Sequence, residues 1–176
     1  LCGTLLDGKN ITLLTQVSII IEGNEITSLD KGFTKPASGD KLVDLSKKFV
    51  MPGLIDSHVH ITHELGPNQI LDEVTLTSSD AALEGAGYAR ITLLAGFTTI
   101  ADLGAPNDAI FALRRAIREN RVPGPRILAA GSPITPDGGH GDANGFAPDV
   151  LNVLRSETAC SGADACRRAT RRQVQA

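Results

Sequence analysis

Through the first 48 residues the apolar positions show no helical spacing, and from Phe49 onward short apolar runs alternate with amphipathic ones. In the first part Val17, Ile19 and Ile21 fall at every second position, Gly23-Asn24 tolerates positive φ, and Ile26 resumes the pattern. That predicts a hairpin with a tight two-residue turn. The run KLVDLSKKFV, residues 41–50, predicts a further strand pair broken at Ser46-Lys47. Residues 1–48 therefore read as a β-rich unit. Residues 49–176 read as an α/β unit in which strands and helices alternate around a parallel sheet.

Within that second unit the expected order is a strand over 49–60, a polar loop over 61–79, and a helix from about Asp80 to Ala95 closed by Gly96. A strand over 97–103 follows. Asn107 is expected to cap the next helix, where Ile110, Leu113 and Ile117 recur at helical spacing and Arg114, Arg115, Arg118 and Glu119 face water. Val122-Pro123-Gly124-Pro125 stops it before a strand over 126–131. Ser132 to Gly162 shows no periodicity and carries Gly138, Gly139, Gly141 and Gly145; so long a loop is usually functional or mobile. Ala163 to Ala176 reads as a helix whose Arg167, Arg168, Arg171 and Arg172 form a solvated face.

The most informative stretch is FVMPGLIDSHVH, residues 49–60. On a strand, Asp56, His58 and His60 share one face and Ile55, Ser57 and Val59 the other. Two imidazoles two residues apart can close on one ion at about 2.0–2.1 Å per Zn–N bond. Asp56 lies one layer deeper, where it orients them or belongs to the floor of the site. His63 breaks the alternation and reads as a mouth or surface residue. Asp102 ends its strand, as an acceptor for a metal-bound histidine or as a partner of loop backbone. His140, in Gly138-Gly139-His140-Gly141-Asp142, reads either as an exposed residue of a glycine-rich turn or as an imidazole that donates to a substrate oxygen or carboxylate.

Composition narrows the classes. With 41% hydrophobic and 21% charged residues the chain is long enough for a sizeable core, and disorder and membrane classes drop out. A net charge of −3 and 3% aromatic residues give no general reason to expect nucleic acid or an anionic membrane surface as a partner. Cys2, Cys160 and Cys166 are odd in number and lack paired spacing, so neither a disulfide framework nor a cysteine zinc site is expected; they read as plain small residues. The chain opens at Leu1 inside what reads as a strand, so an upstream segment is expected, and compartment stays open between cytoplasmic and exported.

The wording PGLIDSHVH, followed by GFTTIADLG at 96–104, resembles the amidohydrolase superfamily, and the resemblance runs along essentially the whole chain. It implies the first part of a TIM-like (β/α)₈ barrel preceded by a small β-sandwich segment, with active residues at the carboxyl ends of the strands. It also implies one or two divalent ions, generally zinc, with His58 and His60 as the first two ligands. GGHGD at 138–142 is most similar to a branch of imidazolonepropionase-like enzymes and dipeptidases acting on acyl amino acids or Xaa-Pro dipeptides.

The family's further parts are a lysine after the fourth strand, histidines after the fifth and sixth and an aspartate after the eighth, and none of these positions exists in this sequence. Two ligands fall short of a catalytic zinc. The chain is thus expected to be an N-terminal part of a metal-dependent hydrolase of amide or cyclic amide bonds, without turnover by itself. Its expected partner is a small-molecule or dipeptide-like substrate, and homo-oligomer formation is left open. Two rivals are a binding protein of the same fold that has lost its chemistry, which has no need of the two histidines, and a barrel that is not a hydrolase.

Overall fold

The computed structural model describes residues 1–175, in two compact units, residues 1–53 and 54–176, of which Ala176 alone lies outside the described residues. The division falls after Gly53. The stretch around His58 is therefore split: Phe49 and Val50 run in the first unit, and the two histidines belong to the second.

The first unit is one four-stranded sheet in the order β3-β2-β1-β4, with β1 Cys2–Leu5, β2 Leu14–Glu22, β3 Glu25–Lys31 and β4 Leu45–Val50. The hairpin forms as its pattern predicts: Glu22 pairs with Glu25 across a turn in which Gly23 has φ 62°. The alternation does not survive to the end of β2. The register shifts between Ile20 and Ile21, and Ile21 is left exposed. Residues 41–50 do not form a strand pair. β4 runs parallel to β1 as one strand, yet its register slips between Cys2↔Leu45 and Thr4↔Phe49, so an irregularity does fall over Ser46–Lys48, with both lysines in water. Cys2, Leu5 and Val17 are buried in this unit, with Ile19 and Val50 against them.

The second unit holds a three-stranded parallel sheet in the order β5-β6-β7, formed by β5 Leu54–Val59, β6 Phe97–Asp102 and β7 Arg126–Ala129. Parallel strands need crossovers. Here they contain α2 Ser78–Leu94 and α3 Asn107–Arg118, while the loop before α2 carries α1 Gln69–Thr75. Ile61, Ala89, Ile100, Ala105, Ile110, Leu113 and Ile127 form the core. Ile110 and Leu113 point inward as their spacing predicts, and Arg114 turns back over the Phe111 ring at 4.8 Å. Gly85 lets α2 and α3 approach, since a Cβ there would stand 3.0 Å from Leu113 Cδ2.

Several ends and loops differ from expectation. Helix α2 begins at Ser78 because Thr77 and Asp80 close a reciprocal cap, with Asp80 Oδ2 accepting from Thr77 N at 2.8 Å. Gly96 ends it as expected, at φ 102°. Asn107 does not cap α3, whose cap position is Pro106; its Oδ1 accepts from Ser132 N at 2.8 Å instead. Residues 61–79 and 132–162, expected as loops, contain the short helices α1 and α4, the latter Pro148–Leu154. Helix α5 spans Ala163–Gln175, so the last expected residue of that helix lies outside the described ones.

The cysteine expectation is overturned. Cys160 and Cys166 form a disulfide across a separation of six residues, with their Cα atoms 5.0 Å apart. The chain turns back at Gly162, φ 83°, to start α5, and that reversal brings the first helical turn onto the loop before it. Cys2 is the buried free cysteine.

Candidate functional site

All four histidines of the chain, His58, His60, His63 and His140, line one cavity of about 1200 Å³ in the second unit. Gly104 and Asn107 line it from behind β6, and Ser132, Thr135, Ser156, Thr158, Arg172 and Gln173 from the long loop and α5. These residues sit at and beyond the carboxyl ends of the parallel strands, where an α/β fold leaves its loops free to carry chemistry.

His58 lies in β5 and His60 just past its end. Their ring centroids are 5.4 Å apart, edge to face. A single ion held by two imidazoles at ordinary Zn–N distances and a tetrahedral angle separates ring centroids by about 5 Å, so the spacing of the pair is compatible with one ion. His60 has a fixed tautomer. Its Nδ1 lies 2.8 Å from the Gly104 carbonyl oxygen, which only accepts, so Nδ1 carries a proton and, in the neutral ring, Nε2 is the nitrogen with the lone pair. Among the described residues no group of three or more His, Cys, Asp or Glu side chains converges as a metal cage. The chemistry of the donors therefore suits two ligands of an ion and does not complete its shell.

Asp102 is fully buried and reaches His60 through backbone on both sides. Its Oδ2 accepts from Ile61 N at 2.7 Å, the residue after His60, and its Oδ1 from Gly104 N at 3.2 Å, the residue whose carbonyl holds the imidazole. Both of its oxygens are thus on backbone amides. Asp56 Oδ1 accepts from His58 N at 3.0 Å, again backbone rather than ring. Both carboxylates thus shape the loop and strand that present the histidines.

His63, expected at the mouth or surface, is exposed but has its ring 5.5 Å from that of His60. Alternation gave no sign of this, because Ile61 and Thr62 turn into the core and carry the chain around. His140 is also exposed, on the glycine-rich loop. Arg172, expected on a solvated face, is exposed yet donates to the Glu157 carbonyl at the cavity edge. Asp142 is what sequence reasoning passed over: its carboxylate accepts from Gly138 N at 2.9 Å, Ala143 N at 3.0 Å and Ser156 N at 3.1 Å. The Gly138 and Ser156 amides hold its carboxyl below the usual carboxylate range. An Asp two residues past a glycine-flanked His was the available signal.

A second cavity, of about 710 Å³, lies between the 62–78 loop and α2 and is lined by Glu64, Asp72, Glu73, Glu84 and Tyr88. Burial and the Glu64 carboxylate, 3.4 Å from its hydroxyl, push the Tyr88 phenol up.

Parallel strands with crossover helices and a histidine-lined cavity at their carboxyl ends define an α/β protein. Residues 49–176 match the model of the amidohydrolase family, and the chain belongs to that family. A solved Xaa-Pro dipeptidase with methionine bound in its active site is similar at 31% identity and TM-score 0.87, over 99% of this chain and 43% of that one. A prolidase solved with N-methylphosphonate-L-proline is similar at 26% and 0.79, over 98% and 42%. A dihydroorotase from Lactobacillus helveticus is 31% identical over 127 residues, 69% of this chain and 25% of the relative. The chain thus spans about a quarter of the length of that curated relative and under half of these solved neighbours.

Proposed function

We propose that these residues form the N-terminal part of a metal-dependent hydrolase that cleaves a carbon–nitrogen bond in a small, dipeptide-like substrate. The observation that carries the reading is the His58–His60 pair: two rings 5.4 Å apart at a strand's carboxyl end, one with its Nδ1 proton committed to Gly104 so that Nε2 is free to ligate. His58 and His60 would hold the ion, zinc by this reading, and other residues of the full-length protein would complete its shell. When bound, a divalent ion would supply the charge that polarises a scissile carbonyl and lowers the pKa of water. The protein's own part is orientation. Gly104 fixes the His60 tautomer, Asp102 and Asp56 fix the backbone on either side, and His140 offers an N–H to a substrate oxygen or carboxylate. By the same reading the strands β5, β6 and β7 are the first of a (β/α)₈ barrel, and the first unit contributes to a β-sandwich.

Among substrates of this class, a dipeptide is favoured over a cyclic amide. The support is that two solved neighbours named for dipeptide cleavage, the Xaa-Pro dipeptidase and the prolidase, are 31% and 26% identical. The test is metal and turnover together in the full-length enzyme. A chelator should abolish hydrolysis of Xaa-Pro dipeptides and Zn²⁺ restore it, and His58→Ala or His60→Ala should lose both metal and turnover. Normal metal content in the double variant, or undiminished hydrolysis after complete metal removal, would sink the reading.

A further inference from the structure

We propose that Asp142 is a positioning residue: its carboxylate sets where the His140 imidazole stands in the cavity and so tunes substrate binding. The inference rests on the role proposed for His140 as a substrate-facing donor and adds the residue that makes it one.

His140 has no secondary structure to hold it, and its neighbours Gly139 and Gly141 add no side-chain packing of their own. What fixes the segment is Asp142. One carboxylate oxygen takes Gly138 N–H and the other takes Ala143 N–H, so the carboxylate spans the turn in which His140 sits. The second oxygen also takes Ser156 N–H, fourteen residues on, from another lining residue of the cavity. Ser156 is not loose. Its hydroxyl is 2.8 Å from that of Thr158, which is buried and donates to the Pro133 carbonyl at 2.6 Å. Beneath the turn, buried Thr135 takes Gly141 N–H on its hydroxyl at 3.3 Å and Cys160 N–H on its carbonyl at 2.9 Å. Asn144 adds a bond from its amide to the Gly139 carbonyl at 3.0 Å. Glycine is required for the close approach: a Cβ on Gly139 would stand 2.8 Å from the Pro136 carbonyl oxygen.

Only an ionised carboxylate serves all three donors, since it accepts on both oxygens and donates on neither. Asparagine keeps one accepting oxygen and turns an N–H toward a backbone N–H at the other, so Asp142→Asn breaks at least one link with almost no change of shape. Asp142→Glu keeps the charge but moves the carboxylate by a methylene. The two variants separate charge from position without deleting the side chain.

The experiment uses the full-length, metal-loaded enzyme and a Xaa-Pro dipeptide. Asp142→Asn should raise KM about tenfold while metal content and kcat stay near wild type. In a His140→Ala background the same change should add less than about twofold, because the imidazole it positions is gone. A second readout does not depend on turnover: the ¹H–¹⁵N ring resonances of His140, assigned by their loss in His140→Ala, should shift or broaden in Asp142→Asn while those of His58 and His60 stay. If the wild type fails to hydrolyse dipeptides, the functional proposal falls and the resonance readout alone decides the role of Asp142. An unmoved His140 resonance, or an effect on KM that persists in full without His140, overturns the inference.

Discussion

At Gly104 a Cβ would stand 3.1 Å from Cε1 and 3.3 Å from Nδ1 of His60, closer than nearly all real Cβ contacts. The ring has to rotate or its bond to the Gly104 carbonyl has to lengthen. Gly104→Ala in the full-length enzyme should therefore weaken metal binding by roughly tenfold, the lower range for disturbed outer-shell partners, measured by competition with a chromophoric chelator. Unchanged affinity would show that the ring has room. Asp102 bears on stability more than on the ion: Asp102→Ala strands the buried Ile61 N–H and the part-buried Gly104 N–H and should cost about 2–3 kcal/mol in denaturant unfolding, where less than 1 would contradict its place in the hydrogen-bond network. The sequence exposed His58, His60 and Asp102 by type and spacing. It did not expose the partners of Asp102, because an Asp at a strand end reads the same whether it meets a ring or an amide. Nor did it expose His63, whose return to His60 depends on burial of Ile61 and Thr62.

The elements found from sequence are those with a pattern to bury. Helix α3 presents Ala109, Ile110 and Leu113 inward, and its periodicity was plain; α1 and α4, seven residues each, bury nothing and so leave no stripe to read. The start of α2 was legible in Thr77 and Asp80, three apart, although periodicity alone put it two residues late. That cap can be tested. Thr77→Ala should destabilise the unit by about 1 kcal/mol. Thr77 hydrogen bonds hold the Asp80 carboxyl below its usual range. The folded pKa is thus depressed relative to the unfolded one. The cap's contribution is complete above about pH 4 and is lost as pH falls through the folded value. Asp80→Asn should flatten that acid limb in pH-dependent unfolding; an identical limb in both proteins would refute the assignment.

At the scale of the molecule, β5 and β7 are the outer strands of a three-stranded sheet, and Ile55 and Leu128 are 72% and 59% exposed. Unpaired strand edges with apolar residues promote association. Residues 1–176 expressed alone should give an aggregation-prone product without turnover, and a soluble monomer with one sharp melting transition would contradict this. The disulfide should be seen by mass: the tryptic fragment from Ser156 to Arg167 contains both cysteines and should gain two hydrogens on reduction. Its count and spacing hid it, because pairing came from the reversal at Gly162. Closing so short a loop is worth about 2 kcal/mol in the chain-entropy account. Its reach is wider than that figure, since the bond anchors Thr158 and Ser156 to the helix that carries Arg172 and Gln173. Part of the cavity wall is therefore finished by an oxidant and not by folding alone. Two preparations of identical sequence, one made where glutathione keeps thiols reduced and one made in an oxidising compartment, would differ in that bond, so the place of synthesis decides whether this part of the wall is covalently tied.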